Sequence, residues 1–244
     1  MKMFQEQTIC QLAFMPRLFP VNCYFVEEED SLTLIDAAML YSANAILEAA
    51  RKIGKPITRI ALTHAHNDHV GALDALKQML PDAIVHISAR DARLLDGDLS
   101  LDPDEPQTPI RGGVPKGIKT RADVLLQDGD RIGSLLAIAA PGHTPGSMAF
   151  LDTRNRILLA GDAFQTRGGL AVSGQLRPWF PFPAMATWNK LKALESARKL
   201  RSFQPALLAV GHGELLKQPC MALDQAITEA ERTLARTLTH GNRS

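Results

Sequence analysis

Six residues, His64-Ala65-His66-Asn67-Asp68-His69, constrain this chain more than any other stretch. They crowd three imidazoles and a carboxylate into one turn. The run before them, Ile57 to Thr63, reads as a buried strand. From His69 onward Val70, Leu73, Leu76 and Leu80 recur at helical spacing until Pro81 stops them. A strand-to-helix turn of this kind needs a sheet to hold it rigid and loops to leave it accessible. In a chain of 244 residues with 7 His, the pattern H-x-H-x-D-H arises by chance about 0.0004 times. A solvated His-rich turn is the bland alternative, but this cluster is what imidazole-binding metals require.

Three further positions repeat the arrangement. His143 lies in Pro141-Gly142-His143-Thr144-Pro145-Gly146-Ser147, after the apolar run Leu135 to Ala140. Asp162 lies in Ala160-Gly161-Asp162, after Ile157 to Leu159, and His212 lies between two glycines, after Leu207 to Val210. Each sits at the C-terminal edge of a predicted strand. Taken singly, each reads as a turn or capping residue; together with the first cluster they read as one site.

The rest of the chain supplies a scaffold. Residues 21–36 suggest a hairpin around the acidic turn Glu27–Ser31, and Ala43 to Ile53 a helix stopped by Gly54-Lys55-Pro56. Ala83 to Ile87 is a strand, after which Ser88 caps a helix through Leu95 with Asp91 at its third position. Residues 97–120 hold four prolines and four glycines without periodicity: a long loop, either a lid or a passive excursion. Val124–Leu126, Leu135–Ala139, Met148–Leu151, Ile157–Ala160 and Ala206–Val210 read as strands, and 165–183 as irregular. Trp188, Leu191, Leu194, Ala197 and Leu200 mark one helix face; Pro219 opens a terminal helix, with a frayed tail from His240 to Ser244. Strands and helices alternate through two strand-rich halves, about 1–120 and 121–244, so a single α/β domain over 1–244 is the simplest organisation.

Composition excludes several classes. A net charge of +1, from 27 basic and 26 acidic residues, argues against a dedicated nucleic-acid binder. No apolar run is long enough to span a membrane, and Gln5, Glu6, Gln7 and Gln11 interrupt any signal peptide. Cys10, Cys23 and Cys220 are odd in number and far apart, which suits free thiols and a cytoplasmic location.

With these residues in place, the sequence resembles the metallo-β-lactamase superfamily. His64 to His69, Pro141 to Ser147, Ala160 to Asp162 and Gly211 to Gly213 follow in the family's order, and the match runs from the 22–36 hairpin to His212. The resemblance implies a four-layer αβ/βα sandwich, two packed mixed sheets flanked by helices, with the site at the sheet edge. It implies that His64, His66 and His143 bind a first metal, that Asp68, His69 and His212 bind a second, and that Asp162 bridges them. Two divalent ions are expected: zinc, with iron or manganese accepted by the same donors. Asp36 is expected to orient a ligating imidazole, and Thr63 and Thr144 to hydrogen-bond behind the ligands. His86 and His240 match no ligand position.

The implied reaction is hydrolysis of a small ester, thioester or lactone. Two ions about 3.5–4 Å apart share a water, lower its pKa and direct the resulting hydroxide at the carbonyl. Asp162 and Asp68 are the catalytic carboxylates. A mononuclear iron persulfide dioxygenase of the same fold is the alternative, and a metal-dependent nuclease a third. Departures from better-known relatives narrow the choice. Asp162 is followed by Ala163-Phe164-Gln165-Thr166, without the tyrosine of the family's lactonases. The stretch after His212 suffices for one helix rather than a glutathione-binding domain, no export signal is seen, and the basic residues of 190–201 suit a solvated helix face rather than RNA. The sequence thus looks most like the superfamily's small hydrolases of unassigned substrate. Phe164, Trp179, Phe180 and Phe182 are the expected pocket walls, while Arg167 and Arg177 read first as ordinary exposed arginines, with pairing to a substrate carboxylate or phosphate the alternative.

Overall fold

Alternate residues of the central strands enter different apolar layers. Along β3 (Val21–Glu27), Cys23 and Phe25 join one cluster while Tyr24 and Val26 join another. Along β10 (Met148–Asp152), Met148 and Phe150 share the cluster of Tyr24 and Val26, while Ala149 and Leu151 face a third. Strands covered on both faces must be apolar on both, so they read as continuous runs rather than alternations. Three apolar clusters separate four layers, helix–sheet–sheet–helix.

The computed structural model describes residues 1–241, with side chains through Thr237. The last three residues and the side chains of the tail expected from His240 onward lie outside the described residues. The first sheet orders β1 (Lys2–Glu6), β2 (Ile9–Phe14), β3, β4 (Leu32–Ile35), β5 (Ile57–Ala61), β6 (Ile84–Ser88) and β7 (Val124–Leu126) in sequence. It is antiparallel up to β4 and parallel beyond. The second sheet runs β15 (Leu216–Lys217), β14 (Leu207–Ala209), β11 (Ile157–Leu159), β10, β9 (Leu135–Ala139) and β8 (Arg131–Ile132). β12 (Phe164–Gln165) and β13 (Ala171–Val172) form a small separate pair. α1 (Ala43–Ile53), α2 (Asn67–Val70), α3 (Leu73–Met79) and α4 (Ala89–Leu95) belong to the first half, and α5 (Phe182–Ala186), α6 (Lys190–Ser202) and α7 (Cys220–Gly241) to the second. Phe25, between the first sheet and its helices, and Phe150, between the two sheets, are fully buried, each contributing about 1.5–3 kcal/mol by leaving water.

Several elements depart from expectation. β1 and β2 were not expected before residue 21; Gln5, Glu6, Gln7 and Gln11 obscure them, yet β2 is buried along its length. The boundary near 120 does not separate the sheets, because β7 completes the first one. The helix expected from His69 to Leu80 is two pieces: the Ala37 N–H donates to His69 O and the Gly71 N–H to Ala38 O, so the chain breaks at 71–72 to meet the end of β4. The irregular stretch 165–183 holds β13 and the start of α5. Cys10, Cys23 and Cys220 are free thiols, the last only partly buried.

Candidate metal centre

Five chain turns meet where the two sheets abut. The turn after β5 carries His64 and His66, and α2 carries Asp68 and His69. The β9–β10 turn carries His143, the helical turn Gly161–Ala163 carries Asp162, and the turn after β14 carries His212. All are buried except Asp68, which keeps about a quarter of its side chain open. Donor atoms of His64, His66 and His143 lie within 4.8 Å of one another, as do those of His64, His69 and Asp162, and those of Asp68, His69 and His212. Asp162 lies between the groups: Oδ2 is 3.3 Å from His143 Nε2 and 3.2 Å from His212 Nε2, while Oδ1 is 3.5 Å from His69 Nε2. Asp68 Oδ2 is 3.4 Å from His212 Nε2. Gly211 makes this approach possible, since a Cβ there would collide with Asp162 Oδ1.

Each of the five rings is held from behind. His66 Nε2 donates to Arg111 O at 2.9 Å and His212 Nδ1 to Pro20 O at 2.6 Å. His69 Nδ1 donates to Asp36 Oδ2 at 2.8 Å. The Thr63 hydroxyl also donates to Asp36 Oδ2, at 2.8 Å, so it accepts from His64 Nδ1 at 3.1 Å. His143 Nδ1 reaches Ser173 Oγ at 3.1 Å, and that hydroxyl continues through Thr187 to Pro183 O. These acceptors fix each back-side proton and turn the opposite nitrogen of each ring inward.

The front side is correspondingly unsatisfied. His64 Nε2, His69 Nε2 and Asp162 Oδ1 are buried without a hydrogen-bond partner. His66 Nδ1 and His143 Nε2 face each other at 3.0 Å, two lone pairs with neither ring's proton between them. Each unpaired buried polar group costs about 1–3 kcal/mol, so their convergence calls for a bound cation. Neutral imidazoles and carboxylates are the donors that zinc, iron and manganese accept, and the residues suit divalent ions.

Charge divides the cluster. Burial pushes His64 well down, helped by the neighbouring imidazoles, and holds His143 down at about 3 despite Asp162. Burial opposes charge on His69 too, but Asp162, Asp36 and Asp68 outweigh it and hold that ring up at about 9. His212 is pushed up against the same burial penalty, by Asp162 and Asp68. Burial likewise disfavours ionised Asp68 and Asp162, yet the adjacent imidazoles keep both below the usual carboxylate range.

A chamber of about 420 Å³ opens onto the cluster. Phe19, Met39, Phe182, Pro183 and Met185 form its apolar wall, and among the described residues no Lys or Arg lines it. Of the four expected aromatics, only Phe182 lines the chamber. Phe180 lies fully buried behind it, 5.4 Å from the His212 ring, Phe164 packs in the helix-side core of the second sheet, and Trp179 is 88% exposed. Phe19 and Met39 were missed; they come from loops whose sequence carries no site signal. Arg111 to Gly113 of the 97–120 loop border the site through His66 and Asn67. Arg177 is held by Glu229 and the Leu170 carbonyl. Arg167 lines a larger groove of about 960 Å³, beyond Pro20 and Gly213, which does not contain the cluster. His86 bonds the Ile84 carbonyl, away from the site.

The comparisons with known proteins agree with this geometry. The chain is 59% identical over 232 residues to the uncharacterized protein YobT of Bacillus subtilis (strain 168), covering 95% of this chain and all of that one. It is 32% identical to the probable metallo-hydrolase YflN of the same organism, over 79% of this chain and 80% of that protein. Its fold is similar to that of TTHA1623, solved in a di-iron-bound form, with a TM-score of 0.60 at 27% identity, over 87% of this chain and 96% of that one. The family model described as the metallo-beta-lactamase superfamily matches residues 16–212, a stretch that holds every element meeting at the cluster, and the chain belongs to that superfamily.

Proposed function

We propose that the chain is a dinuclear metallo-hydrolase acting on a small, uncharged ester, thioester or lactone. His64, His66 and His143 would hold one ion and Asp68, His69 and His212 the other, with Asp162 between the two sets. The observation that carries this reading is the convergence of buried donor atoms without partners, His64 Nε2, His69 Nε2 and Asp162 Oδ1, on one point. Zinc is the proposed ion; iron is the next choice, because the similar TTHA1623 has a di-iron form. The same reading takes 1–244 as one domain, since the cluster needs turns from both sheets, and places it in a reducing, cytoplasmic setting that suits three free thiols.

Bound divalent ions would supply an acidified water and polarise the substrate carbonyl. The chain's own residues do the rest. Asp162, kept ionised, would orient that water through Oδ1, which has no hydrogen-bond partner. Asp68, also kept ionised and open to the chamber, accepts a proton and delivers it toward the leaving group. Phe19, Met39, Phe182 and Met185 exclude water and receive an apolar acyl group. With no cation on the wall, a substrate carboxylate finds no partner there.

Metal analysis with a substrate screen tests the proposal. Two zinc ions per chain, with turnover of neutral aryl esters, thioesters or lactones, is the expected result. A single iron with persulfide oxidation would replace it by the dioxygenase reading.

A further inference from the structure

Asp91 occupies the third position of α4, where an acid ordinarily complements a helix start from the solvent side. Here it is fully buried. Ser88 accepts the Asp91 N–H at 3.0 Å, as a capping residue should. The Asp91 carboxylate, however, reaches out of the helix. Oδ2 accepts the Ala65 N–H at 2.9 Å and the Thr144 hydroxyl at 2.7 Å, and Oδ1 accepts the Gly146 N–H at 2.8 Å. Ala65 sits between His64 and His66, and Thr144 follows His143. One carboxylate therefore ties the turn carrying two of the three histidines to the turn carrying the third, and these turns leave different sheets. The approach is close: a Cβ on Gly146 would strike the Asp91 backbone nitrogen and the Ser88 hydroxyl.

We propose that Asp91 is a positioning residue for the His64, His66 and His143 set, setting the spacing of its two turns as Asp36 sets the orientation of His69. The inference rests on the metal-binding reading of those histidines. A buried carboxylate is retained only where donors compensate its lost hydration. Asp91 has three donors, all on the two turns that bear the histidines. Moving either turn by one hydrogen-bond length separates the donor nitrogens that a single ion must hold together.

The test compares Asp91→Asn, Thr144→Val and Thr144→Ser in the full chain. Stepwise Zn2+ dissociation constants are read by chelator competition, alongside amide hydrogen exchange at Ala65 and Gly146 in the metal-free protein. Asp91→Asn is expected to weaken one of two zinc sites by about 10–100-fold, the effect typical of losing a group that orients ligands, and to leave the other unchanged. Thr144→Val should weaken the same site less, and Thr144→Ser, which keeps the hydroxyl, should restore it. Combined with His143→Ala the effect of Asp91→Asn should be non-additive, and combined with His69→Ala additive. Equal weakening of both sites, or none, would overturn the inference. If Asp91→Asn does not fold, Thr144→Val decides by the same criteria. A wild type that binds no zinc would overturn the proposed function instead; unchanged exchange at Ala65 and Gly146 in the variants would then reject the clamp on its own.

Discussion

Around His64, His66 and His143 burial outweighs every neighbour, imidazole or carboxylate; around His69 and His212 the carboxylates outweigh burial. Both sets are buried to the same degree, so burial alone would keep all five rings neutral. The first set stays so, with His143 near 3, whereas Asp162, Asp36 and Asp68 hold His69 near 9. Identical side chains a few ångströms apart thus stand ready in different protonation states. The histidine set presents lone pairs to a cation directly. The mixed set must first give up protons, in exchange for a stronger charge attraction once it has done so. The supports differ in kind as well: Asp36 bonds a histidine ring itself, whereas Asp91 bonds the backbone between two histidines.

The largest effect tests what the two sets share. Asp162→Ala removes the residue between them and should strip metal from both, lowering kcat/KM by about 10³-fold or more, since metal stabilisation of the transition state is worth several kcal/mol. Metal content per chain and ester turnover check this; a variant that keeps full activity breaks the assignment. Next in size, Asp36→Asn should weaken the mixed set by about 10–100-fold, read by chelator competition. Asp36 has a φ of +62°, a conformation that Asn also tolerates, so the backbone is not expected to rearrange.

A third prediction separates the sets by pH. In the metal-free protein the raised His69 pKa contributes stability that is fully present below about 6.5, the free-histidine value. That contribution is lost as pH rises through about 9. The depressed His143 pKa acts oppositely, costing stability as pH falls below about 6.5 toward 3. The Tm of the metal-free protein should therefore fall between pH 6.5 and 9. Over the same range the affinity of one zinc site should rise with pH while that of the other stays nearly flat. Two parallel profiles would erase the distinction. The smallest effect concerns the chamber: Phe182→Ala should raise KM for apolar acyl esters by about 10-fold, with kcat little changed, because it removes binding shared by ground and transition states.

Much of the site was legible because its donors stand at strand ends marked by glycines. A sheet turns at such points, so His143, Asp162 and His212 announce themselves locally, and so does the cluster at 64–69. Asp36, at the end of β4, was visible only through the family resemblance. Asp91 was not, since nothing local distinguishes a helix-start acid in water from one buried against two turns. The N-terminal hairpin was hidden because its polar residues interrupt the apolar pattern; yet Gln11 and Asn22 donate to the Gly213 carbonyl and Tyr24 bonds Val210, so β2 and β3 hold the turn that bears His212. Aromatic content near Asp162 suggested a wall of four rings, but the path of the backbone puts only Phe182 on the chamber.

The sequence by itself determined the donor types, their order, and a fold of strands apolar on both faces, because these depend on side-chain chemistry and short-range periodicity. Only the tertiary structure decided which turns touch, which nitrogen of each ring faces inward, which carboxylate supports which histidines, and which rings carry charge. Those outcomes depend on contacts between residues tens to hundreds of positions apart, and on burial, which strengthens each neighbour's charge by excluding water.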